Sequence, residues 1–260
     1  MSSQKLLVRP SSQDKKADCR LICFPWAGAG ASYYISWAKK FSPSIEVVAL
    51  RPPGREIRFK EPNFRTLEEA VTQTTEAIVQ NLLDKPFAFF GHSWGSLLSF
   101  SVAVRLKEKH GVEPIHMFVS SMSAPHSAQV QEKDKVTKKS NKEFLDFMKS
   151  LGGTPKEVLE NEELMEMCLP SMRADYGLYE EFKYKLPPTP PLSCPLHVFD
   201  GKNDKKHDLD GWRQVTTGDT VCDMYPGGHF YFKDKANESK IIGQINTRLQ
   251  DLIRLTDQPL

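Results

Sequence analysis

The sequence predicts an α/β fold in which a mostly parallel sheet carries helices on both faces and one helical segment is inserted. Three observations predict it. Short apolar runs alternate with helix-like segments along most of the 260 residues, and the stretch from about 127 to 185 breaks that alternation. The third is Gly91-His92-Ser93-Trp94-Gly95, which lies between a short apolar run and a helical one. Small residues two before and two after the serine let the backbone make a strained strand-to-helix turn that lifts Ser93 Oγ above the sheet. The bare G-x-S-x-G pattern is weak in a chain this long, so the strand before it and the helix after it decide the reading.

Taken in order, strand-like runs fall at 20–24, 46–50, 87–90, 117–120, 196–199 and 221–225. Before the elbow strand, Thr66 with Glu69 three residues on forms a capping-box pattern. Leu67, Ala70, Val71, Thr74, Ile78 and Leu82 then follow one helical face. The helix after the elbow runs over 96–109. From 127 to 185 no strand pattern appears, only a charged segment and helical patterns around 144–151 and 162–179. Five prolines in residues 186–195 stiffen the return to the next strand. Ile241, Ile242, Ile245, Leu249, Leu252 and Ile253 mark a closing amphipathic helix. The expected organisation is a core of residues 1–126 and 186–260 with a helical lid at 127–185.

Composition bounds the function. Apolar residues make up 39% and charged residues 26%, enough for a buried core in one large domain. The 35 basic and 33 acidic residues give a net charge of +2 without a basic stripe, which argues against nucleic acid as the partner. No apolar run has the length of a membrane span or a signal-peptide core. The cysteines, Cys19, Cys23, Cys168, Cys194 and Cys222, are odd in number and form no C-x-x-C pair, so free thiols in the cytosol are expected. No metal or other cofactor is expected.

A serine hydroxyl is a poor nucleophile at neutral pH. It needs a histidine to take its proton and a carboxylate to orient that histidine. In elbow-bearing folds the chain order is Ser, then Asp or Glu, then His. Among the seven histidines only His229, in the tight loop Pro226-Gly227-Gly228-His229, follows the last predicted strand, which makes it the expected base. His92 reads as elbow packing and His110 as the polar end of a helix. Asp200, Asp204, Asp208 and Asp210 all follow the strand at 196–199. Asp204 is the expected acid because the turn Gly201-Lys202-Asn203 sets it clear of the strand end, with Asp200 the runner-up. One oxyanion donor is the backbone N–H of Trp94, the residue after the nucleophile. The other is assigned to Ala27, in the small-residue loop Phe24-Pro25-Trp26-Ala27-Gly28-Ala29-Gly30. That loop carries no following lysine, unlike a phosphate-cradling loop.

Four further blocks lie in order around the elbow: 21–26 (LICFPW), 51–56 (RPPGRE), 84–90 (DKPFAFF) and 226–231 (PGGHFY). Together they resemble the type II thioesterases of the α/β-hydrolase fold, and within them those that serve fatty acid synthase. The resemblance covers nearly the whole chain. It implies Ser93, Asp204 and His229 as nucleophile, acid and base, the insertion as a lid, and hydrolysis of fatty acyl thioesters on phosphopantetheine. It also implies an acyl-carrier protein domain of fatty acid synthase as partner and a monomeric enzyme. Editing of stalled polyketide or peptide synthases, or general carboxylesterase or lipase activity, are the alternatives.

Two positions depart from the family pattern. Trp94 stands where methionine is usual, and the loop reads Ala27-Gly28-Ala29-Gly30 where glycines are usually contiguous. Indole bulk at position 94 is therefore expected to alter acyl fit. Met148, Met165, Met167 and Met172, with Phe144 and Phe147, place soft apolar side chains in the insertion, suited to variable acyl chains. Two basic surfaces are candidates for docking an acidic carrier: Lys133, Lys135, Lys138, Lys139 and Lys142, or Arg51, Arg55, Arg58 and Lys60.

Overall fold

In the computed structural model, residues 5–10, 17–151 and 162–256 are described. Seven strands, β1 (Leu7–Val8), β2 (Cys19–Phe24), β3 (Ile45–Leu50), β4 (Phe87–His92), β5 (Met117–Ser120), β6 (Leu196–Gly201) and β7 (Thr220–Tyr225), form one sheet. Their order is β1-β3-β2-β4-β5-β6-β7. Every pairing is parallel except β1 with β3. Six strands stand where the apolar runs predict them, most lengthened by a residue or two. The two-residue β1 is too short to leave a pattern in the sequence.

Side chains of a strand alternate between faces, and here that alternation divides the core in two. Ile22, Phe24, Val48, Leu50, Phe89, Met117, Val119 and Val198 point to one face, packed under α2 (Leu67–Asn81) and α3 (Trp94–His110). Leu21, Cys23, Val47, Ala49, Ala88, Phe90, Phe118 and Phe199 point to the other, under α1 (Ser32–Trp37) and the C-terminal helix. Because β2 to β6 are covered on both sides, they read as continuous apolar runs.

Local chemistry sets the helix ends. Thr66 Oγ1 accepts the N–H of Glu69, the expected cap, but the Glu69 carboxylate turns back to the N–H of Arg65 instead of closing the box on Thr66. Gly111 ends α3 in the left-handed conformation at φ +67°, with its N–H bonded back into the last turn. Between β5 and β6 lie α4 (Ala128–Gln131), α5 (Asn141–Ser150) and α6 (Glu162–Glu181). Ser140 and Glu143 make a complete capping box at the start of α5. The chain closes with α7 (Lys235–Thr256), on the expected amphipathic stretch.

Candidate active site

The elbow forms where β4 ends and α3 begins. Ser93 has φ +54° and ψ −125°, a conformation that costs a non-glycine residue energy and marks a functional constraint. The flanking glycines are sterically required. A Cβ on Gly91 would collide with the Gly95 carbonyl, and one on Gly95 would collide with the Phe24 and Pro25 carbonyls. The turn is pinned from beneath: Ser93 N–H donates to Ser120 O at 2.8 Å, and Ser96 Oγ donates to Gly91 O at 2.8 Å. His92 is fully buried, with Nδ1 2.9 Å from Ser120 Oγ. Burial, then the nearby charges of His229, Lys233 and His207, pushes it well below the ordinary imidazole range, so it stays neutral.

His229 hangs from the loop after β7 with Nε2 3.0 Å from Ser93 Oγ and Nδ1 2.8 Å from Asp204 Oδ2. Asp204 sits where the turn from β6 puts it, its N–H bonded to Gly201 O. Burial alone would raise its carboxyl, but the His229 hydrogen bond, the charges of His229 and His207 and the Lys205 N–H outweigh that and hold it below the usual carboxylate range. Asp200, the runner-up, is committed elsewhere. It accepts from His207 Nδ1 at 2.9 Å, from Ser121 Oγ at 3.2 Å and from its neighbour Gly201 N–H at 2.8 Å. Asp204, His207 and His229 bring ligand-type atoms within 4.8 Å of one another, the one such group among the described residues, and hydrogen bonding accounts for the Asp204–His229 part of it.

Ala27 and Ser93 border the same cleft, with Trp26, Met148, Leu151, Met172, Tyr176, His229 and Phe230 forming the rest of its walls. Its free volume is about 30 Å³, roughly one water molecule. Of the four methionines singled out in the sequence, Met148 and Met172 reach this cleft, while Met167 is exposed. Phe144 packs against Tyr176 and is fully buried. Trp94 is buried, in the same apolar cluster as Met148, Met172 and Tyr176, and it is absent from the residues that line the cleft.

Of the second basic surface, Lys60 is exposed and Arg51 is half-buried. Arg55 and Arg58 are buried and hydrogen-bonded internally, Arg58 to Glu61 and the Arg51 carbonyl, and Arg55 to Asp175 on α6. Neither can meet a partner. Lys135, Lys138, Lys139 and Lys142 are exposed. Asp175 has no signal in the sequence, being one acid in a helix rich in them. Only the RPPGRE block hinted that Arg55 mattered.

A thioesterase-domain family model matches residues 19–249. The chain belongs to that family. It is 38% identical to the medium-chain S-acyl fatty acid synthase thioesterase of Anas platyrhynchos over 95% of this chain and 98% of that protein. It is 37% identical to the gramicidin S biosynthesis protein GrsT of Aneurinibacillus migulanus, over 85% and 86%. Among solved structures, the type II thioesterase BorB from the borrelidin biosynthetic cluster superposes with a TM-score of 0.82 at 30% identity, covering 96% of this chain and 99% of that one. Human thioesterase 2 does so with a TM-score of 0.68 at 31% identity, over 94% and 99%. The α/β-hydrolase fold and membership of the thioesterase family thus agree with the parallel sheet and its elbow.

Proposed function

We propose that this chain hydrolyses fatty acyl thioesters held on the phosphopantetheine of an acyl-carrier protein domain of fatty acid synthase, releasing a free medium-chain fatty acid. The observation that carries the reading is the Ser93–His229–Asp204 relay opening on an apolar cleft. In this reading His229 Nε2 takes the Ser93 proton as Oγ attacks the thioester carbonyl, and Asp204 holds the tautomer that leaves Nε2 free. The oxyanion is met by the N–H groups of Trp94 and Ala27. The pantetheine thiol leaves, and water activated by His229 then cleaves the acyl-serine. A thiol, with an ordinary pKa of about 8.5, demands less protonation from His229 than an alcohol or amine would.

The helical segment 127–185 is assigned the role of a lid over the acyl chain. With Arg55 and Arg58 internal, the exposed lysines 135, 138, 139 and 142 are the assigned docking surface for an acidic carrier. The proposed setting is a cytosolic monomer, in keeping with free cysteines. The similarity to GrsT supports a second reading, editing of stalled chains on a peptide or polyketide synthase. Turnover of a medium-chain acyl-carrier thioester, a short acyl-carrier thioester and an oxygen ester separates the readings. Fatty-acid release predicts preference for the first, editing for the second, and a general esterase for the third.

A further inference from the structure

Asp175 and Arg55 are almost wholly buried, at 5% and 6% side-chain exposure, and they join three separate pieces of the molecule. Asp175 lies on α6. Its Oδ2 accepts the backbone N–H of Gly28 at 2.8 Å, in the loop that carries Ala27. Arg55 grips the same carboxylate with both terminal nitrogens, at 2.5 and 2.9 Å, and donates to the Ala29 carbonyl at 3.1 Å. The loop is held on its other side by Glu56, which accepts from Ser32 N–H at 2.9 Å and Ser32 Oγ at 2.6 Å. At Gly28, with φ +81°, α6 comes close enough that a Cβ would run into Met172.

The arrangement is costly unless it does something beyond cohesion. A carboxylate buried beside the cleft would oppose any negative charge developing on a substrate oxygen, and an unpaired one would be strongly unfavourable in itself. Arg55 cancels that charge while its forked geometry fixes the carboxylate against Gly28 N–H. Holding that N–H fixes the plane of the peptide following Ala27. We propose that Arg55 and Asp175 are positioning residues for the oxyanion site: they set the Ala27 segment for donation and make that geometry depend on α6 being seated. This rests on the reading of Ser93 as nucleophile and Ala27 as donor. The helical segment then does more than select the acyl chain. Removing it releases Gly28 and damages the chemistry on short and long chains alike, contrary to what a simple detachable lid would do.

The test is steady-state kinetics on a short, soluble acyl thioester, with melting temperatures recorded for every variant. R55Q leaves Asp175 charged and is expected to lower kcat by about 100-fold or more, the scale of a lost oxyanion donor. KM is expected to stay within about threefold, since the lost interaction belongs to the transition state. The double variant R55Q/D175N, with two neutral amides facing each other, is expected to regain at least about tenfold of that kcat, because the opposing charge is gone. A purely cohesive pair predicts a lowered melting temperature with kcat of the folded enzyme unchanged, so an R55Q enzyme with wild-type kcat overturns the proposal, as does a double variant no faster than R55Q. Should R55Q fail to fold, R55K keeps the charge but not the fork and is expected to lose about tenfold in kcat; unchanged kcat overturns the proposal there. S93A separates the two layers: turnover that survives S93A refutes the nucleophile assignment itself, whereas loss of turnover in S93A leaves the Arg55 and Asp175 variants to decide the positioning role.

Discussion

Ser93, His229 and Asp204 are linked in series, so their loss should not add. Ser93→Ala and His229→Ala are each expected to reduce acyl-thioester turnover to near background, and the double variant to be little worse. Asp204→Asn should be severe, because an amide no longer specifies the Nδ1–H tautomer of His229. Asp200→Asn should spare kcat and lower the melting temperature, since Asp200 holds His207 and Ser121 and not His229. Rates and melting curves for the four single variants check this, and a crippled kcat in Asp200→Asn would reverse the assignment of the acid. Trp94→Met tests a different expectation. With the indole buried in the core, the substitution should cost stability of about 1–3 kcal/mol as packing is lost, and leave the ratio of long-chain to short-chain rates unchanged. A shifted ratio would put the indole against substrate. At this scale the sequence discloses residues whose position follows from chain order and turn chemistry, such as His229 in its glycine loop. It conceals Asp175, whose importance comes from partners far along the chain, Gly28 and Arg55.

Strands and helices were legible wherever one period ruled. The double-sided burial of β2 to β6 leaves apolar runs that need no tertiary context to read, and α2 and α7 carry a clear apolar stripe. β1 was not legible because two residues hold no period. The Pro-rich return is ordered by another distant contact. Glu113, just after α3, accepts from Ser193 Oγ at 2.7 Å and Cys194 N–H at 2.8 Å and faces Lys107 at 3.0 Å. Burial would raise its carboxyl, but these donors pull it down from 4.5 to about 2. A depressed folded-state pKa means that the stabilisation is fully present above 4.5 and is lost as pH falls from there towards about 2. Glu113→Gln should therefore be less stable than the parent at neutral pH, with the gap closing across that acid window. Urea unfolding at a series of pH values measures it, and a gap independent of pH would remove the charge from the explanation.

At the scale of the whole molecule, the sheet and its two cores form a platform, and the cleft that the described residues form beside Ser93, about 30 Å³, is smaller than an acyl chain. Binding must move part of the wall. The wall is unequal. α6 is tied down along its length: Ser171 Oγ donates to Gly54 O at 2.7 Å, Asp175 holds Gly28 and Arg55, and Glu180 accepts from the backbone of Val136 and Thr137 at 2.6 and 2.8 Å. Among the described residues, the polar tie from α6 to α5 reaches its start, Arg173 to Asn141 at 3.0 Å, while Phe144 and Phe147 pack against Tyr176. The end of α5, with Met148 and Leu151, forms the cleft wall by apolar contact. Apolar contacts are non-directional and re-form with a ligand, whereas the ties of α6 are charge-assisted and buried. The C-terminal half of α5 is therefore expected to open while α6 stays seated. Amide hydrogen exchange on the Ser93→Ala protein tests this: amides of residues 145–151 should exchange faster than those of residues 171–180 in the free protein, and a bound medium-chain acyl thioester should slow the first group much more than the second. Equal protection, or a ligand response centred on residues 171–180, would mean that α6 is the moving wall, and that the site near Ala27 is rebuilt at every turnover.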